Sequence, residues 1–173
     1  MTNQIQADEE VWFFDESRFG THSKVGHAWY PKGQRSSVPI KLGYKNFYLY
    51  TAVCPKTGEE ISLILPKVNH TCMLLCLNYF AKQTKGRRIV LIMDGAGWHQ
   101  KHLLEQIPHI RMILQPSYSP ELNPVERFWQ YVKHHTIRNQ IYQTLDELEN
   151  HLCQFLDSIT PKTIQKICHV DYV

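Results

Sequence analysis

Apolar residues fall along this chain in short blocks whose period changes part-way. In residues 10–17 (EVWFFDES), an extended chain points Val11, Phe13 and Asp15 one way and Trp12, Phe14 and Glu16 the other. Both faces are apolar until the last pair, the pattern of a central strand. Residues 26–35 (GHAWYPKGQR) read as a strand ending in a polar turn, and 46–66 as a hairpin turning at Pro55, Lys56, Thr57 and Gly58. Residues 71–84 have helix length and an apolar majority. Ile89 to Met93 are five consecutive apolar residues, as in a strand buried on both faces. A short helix over 102–106 and a strand over 110–116 follow, then a helix over 124–136. A second helix spans 144–159, with Thr144 and Glu147 spaced as a capping box, and a last short helix over 161–168 starts at Pro161. Strands first, then strands alternating with helices, predict an α/β mixed sheet with helices on its faces.

Bulk properties narrow the class. The chain has 173 residues, suited to a single domain over 1–173, with 43% hydrophobic and 20% charged residues, which excludes disorder. No apolar run reaches the roughly 20 residues of a membrane span, and the polar, acidic start is no signal peptide. The expectation is a cytoplasmic protein with no membrane partner. Five cysteines, with no C-x-x-C pair, fit a reduced compartment; Cys72 and Cys76, set among Met73, Leu74, Leu75 and Leu77, read as packing rather than as metal ligands. The net charge of +3 leans only weakly toward a polyanionic partner.

Three acids stand where burial or strand geometry makes a carboxylate costly or useful. Asp15 lies near the end of an apolar strand, where a charge needs a partner, a metal or water; pairing with Arg18 is the structural alternative. Asp94 ends the buried run and precedes Gly95, Ala96 and Gly97, small residues that let a phosphate backbone approach at a strand's carboxyl end. Glu126 falls three residues past Asn123, with Pro124 between them, so on its own it reads as the reciprocal half of a helix cap. Together the three suit divalent cations that take their other ligands from water and phosphate. Two such ions about 4 Å apart clamp the attacking and leaving oxygens of an in-line displacement.

The segments FFDES (13–17), LIMDGAGWH (91–99) and SYSPELNPVERFW (117–129) resemble the catalytic domain of DDE transposases, in the bacterial insertion-sequence branch of the Tc/mariner superfamily. The last segment is the most specific, and the resemblance runs from Val11 to about His135. It implies a ribonuclease H-like fold, with Asp15, Asp94 and Glu126 as the catalytic, metal-binding acids. It also implies two Mg²⁺ ions, replaceable by Mn²⁺, and cut-and-paste transposition acting on double-stranded DNA at transposon ends and target. A homodimer in the DNA complex and a place of action at the bacterial nucleoid belong to the same expectation. Helix-turn-helix modules precede this domain in the family; here the first core strand begins about ten residues after Met1, so that region is expected to be absent. A helix-turn-helix product of an upstream frame is the corresponding partner.

Lys32, Arg35, Arg87, Arg88 and Lys133 are candidates to hold DNA phosphates, each against the plain alternative of a solvated surface charge. His99 is a candidate phosphate contact, against a satisfied polar histidine. Trp12, Trp29, Trp98 and Trp129 read as core, with base stacking as the alternative for Trp98. Rival functions are a stand-alone ribonuclease H-like nuclease, a non-catalytic remnant that binds DNA or a partner, and a glycoside hydrolase using two of the acids without metal.

Overall fold

The computed structural model describes residues 5–22, 31–33, 43–97, 104, 107–116 and 119–171. Within them lie strands β1 (Glu10–Gly20), β2 (Asn46–Cys54) and β3 (Glu59–Leu65), helix α1 (His70–Gln83), and strands β4 (Ile89–Met93) and β5 (Ile110–Leu114). A 3₁₀ turn (Pro120–Leu122) leads into helix α2 (Pro124–Thr136), followed by α3 (Leu145–Ser158) and α4 (Pro161–Ile167). The expected strand within 26–35 lies outside the described residues. Of the short helix expected over 102–106, only Leu104 is described.

The sheet runs β3-β2-β1-β4-β5. β1 is antiparallel to β2 and parallel to β4, and β4 is parallel to β5. This is the mixed sheet of a ribonuclease H-like α/β fold. The two strands that read as apolar on both faces occupy its middle: Trp12, Phe13 and Phe14 of β1 and all five residues of β4 are at most 2% exposed. One face packs on α1 through Trp12, Phe14, Tyr50, Leu77, Phe80 and Leu91. The other packs on α2, α3 and α4 through Phe13, Val90, Ile92, Phe128, Val132 and Leu148. Each such side chain contributes about 1.5–3 kcal/mol by leaving water.

Local sequence accounts for the element ends. Asn69 caps α1 by accepting from the Cys72 N–H at 2.9 Å. Thr144 and Glu147 form both halves of the capping box of α3. The β2–β3 turn ends at Gly58, whose φ of +74° and approach to the Pro161 carbonyl, 2.1 Å from where a Cβ would stand, admit only glycine. Cys72 and Cys76 are buried in the α1 core, and burial pushes the Cys76 thiol up to about 12, so it stays protonated. Among the described residues, no helix is long and apolar enough to cross a membrane.

β1 outruns its expected end at Ser17. It continues to Gly20 because β2 keeps pairing with it, Phe19 opposite Phe47, their rings stacked 6.0 Å apart. Its parallel pairing with β4 stops at Phe13 opposite Ile92. Beyond that point β1 projects past the carboxyl end of β4, and there the candidate site begins.

Candidate active site

Asp15 sits on the projecting part of β1. Alternation from Phe13 sends its side chain to the α2 face. Two further steps of the β1–β4 register would set Asp15 beside Asp94. The Asp15 carboxylate accepts the Glu16 N–H at Oδ1, 2.8 Å, and the Trp129 indole N–H at Oδ2, 3.3 Å. Burial pushes its pKa up to about 7; the Glu16 N–H bond opposes that rise, and the carboxylates of Glu16, Glu126 and Asp94 add to it. Arg18, three residues on, points to the opposite face and opposite Tyr48, so the alternative of an Asp15–Arg18 pair fails on strand geometry.

Asp94 is the first residue after β4 and is exposed. Its Oδ1 accepts the Ala96 N–H at 3.1 Å, a local turn that ends the strand. A Cβ added at Gly95 or Gly97 would meet nothing within 4 Å. Among the described residues, both glycines leave open space beside Asp94.

Glu126 lies in the first turn of α2. Asn123 accepts the Val125 N–H through Oδ1 at 3.1 Å and donates Nδ2–H to the Phe14 carbonyl at 3.1 Å. It thereby caps α2 and clips the helix start to β1 beside Asp15. The backbone N–H of Asn123 donates to the Pro120 carbonyl at 2.9 Å. The bond that a capping-box Glu126 would accept is therefore taken by the 3₁₀ turn, and the cap reading of Glu126 is corrected.

The three acids line one cleft of about 430 Å³, together with Gly95, Ala96, Gln115, Ser119 and Asn123. Gln115 is 7% exposed. It binds the Met93 carbonyl through its backbone N–H at 2.8 Å and the Leu122 carbonyl through Nε2–H at 2.9 Å. It joins the carboxyl end of the sheet to the turn before α2. Three carboxylates around one cleft, one of them with its pKa raised by burial first and by its neighbours after, form an all-oxygen donor set that suits a hard divalent cation. Among the described residues, no three His, Cys, Asp or Glu side chains are gathered closely enough to hold an ion as they stand.

The basic candidates divide. Arg87 and Arg88 precede β4, at the end of the sheet away from Asp94, roughly 20 Å of extended chain from it. Arg87 pairs with Glu10, Nε to Oε1 at 3.0 Å, and with Glu59; Arg88 pairs with Asp8. The structure thus places both away from the acids and engages both in ion pairs. Lys133 lies on α2 with its ammonium 5.5 Å from the Phe19 ring centre, on the same face as Asp15. Lys32 is exposed, and Arg35 and His99 lie outside the described residues. Two contributors went unread in the sequence. Gln115 has no local signal beyond its place at a strand end before Pro116. The indole N–H of Trp129 is spent on a partner 114 residues away.

The DDE superfamily endonuclease family matches residues 10–149 of this chain. An uncharacterized protein of Sinorhizobium fredii, y4pE/y4sA, is 36% identical over 107 residues, 61% of this chain and 79% of that protein. The uncharacterized 39 kDa protein of insertion element IS630 from Shigella sonnei is 27% identical over 165 residues, 92% of this chain. The crystal structure of the Mos1 strand transfer complex shares the fold at a TM-score of 0.74 and 17% identity, covering 97% of this chain. The Mos1 paired end complexes with Mg and with Mn match at 0.71 and 0.70. The chain spans about half the length of two of these relatives, 48% of the IS630 protein and 53% of the Mos1 chain.

Proposed function

The chain belongs to the DDE superfamily endonucleases, and from that premise we propose that it is the catalytic domain of a Tc/mariner-type transposase, cleaving DNA and joining the freed end to a target. The observation that carries this reading is the convergence of Asp15, Asp94 and Glu126 on one cleft at the carboxyl ends of the central strands. The three acids would hold divalent cations, two Mg²⁺ with Mn²⁺ as a substitute. When bound, these ions supply Lewis-acid polarisation of the phosphodiester and lower the pKa of the attacking hydroxyl group.

The rest of the work falls to the chain. Asn123 fixes the first turn of α2 against β1, and so sets where Glu126 enters the cleft. Gln115 holds the turn before α2 to the end of β4. Gly95 and Gly97 leave room for a sugar-phosphate backbone beside Asp94. Double-stranded DNA lies along this end of the sheet, with Lys133 as a phosphate contact, and two copies act together on paired ends. The Mos1 paired end and strand transfer complexes, which share this fold, support that arrangement.

The test is plasmid cleavage and joining by purified protein with Mg²⁺ or Mn²⁺. Metal-dependent nicking and capture of a 3′-hydroxyl end are expected, both lost in Asp94→Ala. Nicking that survives Asp94→Ala overturns the assignment, and nicking without joining supports the stand-alone nuclease instead.

A further inference from the structure

Helix α2 brings Glu126 to the cleft, and three residues later it brings a second group to the same place. The Trp129 indole N–H donates to Asp15 Oδ2 at 3.3 Å, from a ring only 2% exposed. Phe19 meets that ring edge-on, centroids 6.2 Å apart at 71°, and Phe128 packs beside it at 5.7 Å. The backbone N–H of Glu16 binds the other Asp15 oxygen at 2.8 Å. Each carboxylate oxygen offers roughly two acceptor sites, so one on each oxygen remains for the cleft.

We propose that Trp129 is a positioning residue for Asp15: its indole N–H fixes the plane of the carboxylate that receives a divalent cation. This rests on the reading of Asp15, Asp94 and Glu126 as a metal-binding set. An indole suits the role chemically. It is a donor only, does not ionise near neutral pH, and cannot ligate a metal. An arginine or lysine in its place would neutralise the carboxylate and oppose the cation. A phenylalanine would keep the packing and withdraw the donor. Positions 126 and 129 share one side of α2. The rotation of α2 that places Glu126 therefore also places the donor to Asp15, and the two acids are aligned by one rigid element.

Manganese binding to the wild type, Trp129→Phe and Asp94→Ala, followed by electron paramagnetic resonance, tests this alongside thermal melts. Trp129→Phe is expected to fold and to bind Mn²⁺ roughly tenfold or more weakly, as for other residues that orient metal ligands. In wild-type protein, the indole ¹H–¹⁵N resonance that disappears in Trp129→Phe should shift as Mg²⁺ saturates. The resonance of Trp12, whose indole points to Glu10 at the far end of β1, should not. Unchanged Mn²⁺ affinity in a folded Trp129→Phe overturns the proposal, and so does a Trp129 resonance indifferent to Mg²⁺. If Trp129→Phe fails to fold, the wild-type resonance, assigned through its sequential backbone connections, alone decides. Wild-type protein that binds no Mn²⁺ removes the metal reading itself and this inference with it; wild-type binding weakened by Asp94→Ala but not by Trp129→Phe removes this inference alone.

Discussion

Asn123 gives its backbone N–H to the Pro120 carbonyl at 2.9 Å, and that bond releases Glu126 from capping its own helix. Glu147 shows the alternative on the next helix, where its carboxylate accepts the Gln143 and Thr144 N–H groups at 2.7 and 3.4 Å. Two glutamates at the same helical position thus do different work, and substitution separates them. Glu147→Gln should cost about 0.5–1 kcal/mol of stability and leave cleavage intact. Glu126→Gln should change stability by less than about 0.5 kcal/mol and lower metal-dependent cleavage by roughly a hundredfold or more, since a metal-bound oxygen supplies several kcal/mol. Paired thermal melts and nicking assays check both.

Asn123→Ala removes a helix cap, about 1 kcal/mol, and a buried bond to the Phe14 carbonyl, about 1 kcal/mol more. The expected loss is about 2 kcal/mol in urea unfolding. Cleavage should fall further than stability does, because the helix start that aims Glu126 is no longer tied to β1.

Asp15 links stability to pH. Its folded pKa of about 7 stands above the ordinary 3.8 because of burial first and neighbouring carboxylates after. The native state therefore holds this proton where the unfolded chain has lost it, and stability from this group falls as pH rises between about 4 and 7. Asp15→Asn should raise the Tm at pH 7.5 without divalent metal, by roughly 2–4 °C per kcal/mol relieved. Mg²⁺ should then stabilise wild-type protein but hardly affect Asp15→Asn. Scanning fluorimetry across pH 5–8, with and without Mg²⁺, reads both effects.

Charge at the two ends of the sheet makes opposite predictions for DNA. Arg88→Ala, at the ion-paired end with Asp8, should leave duplex affinity and its salt dependence unchanged. Lys133→Ala, on the α2 face over Phe19, should weaken binding and lower the slope of log K against log salt by about 1. Fluorescence anisotropy over a salt series distinguishes them.

Most of the fold is legible in the chain where a local signal and a burial pattern agree. Asn123-Pro124 and the stripe Val125, Phe128, Trp129 and Val132 mark α2 at its observed bounds. Thr144 and Glu147 mark the start of α3, and the unbroken run Ile89–Met93 marks a central strand. The end of β1 was not legible, because Arg18 and Phe19 continue as strand through pairing with Tyr48 and Phe47, more than 25 residues away. The site divides in the same way. Asp15 and Asp94 stand out by their place relative to apolar runs, whereas Glu126 on its own reads as a cap and joins them only through the set and the resemblance. The bonds that organise them, Asn123 to Phe14 and Trp129 to Asp15, span 109 and 114 residues and leave no local trace. The ion pairs of Arg87 and Arg88 leave no local trace either: a basic pair reads alike whether it faces solvent alone or, as here, also meets Glu10, Glu59 and Asp8.

The point at which β1 outruns β4 has a consequence for how such a chain tolerates changes in length. Asp94 is placed by the β1–β4 register and Glu126 by the clip from Asn123 to Phe14. Neither depends on the count of the 31 residues between them (126 − 94 − 1). Insertions and deletions in the connection after Gly97 can accumulate without moving an acid. A single residue added between Ile92 and Asp94 would instead turn the carboxylate to the α1 face of the sheet. Length is free between Gly97 and β5 and locked where Gln115 ties the sheet to the turn before α2 and immediately before each acid.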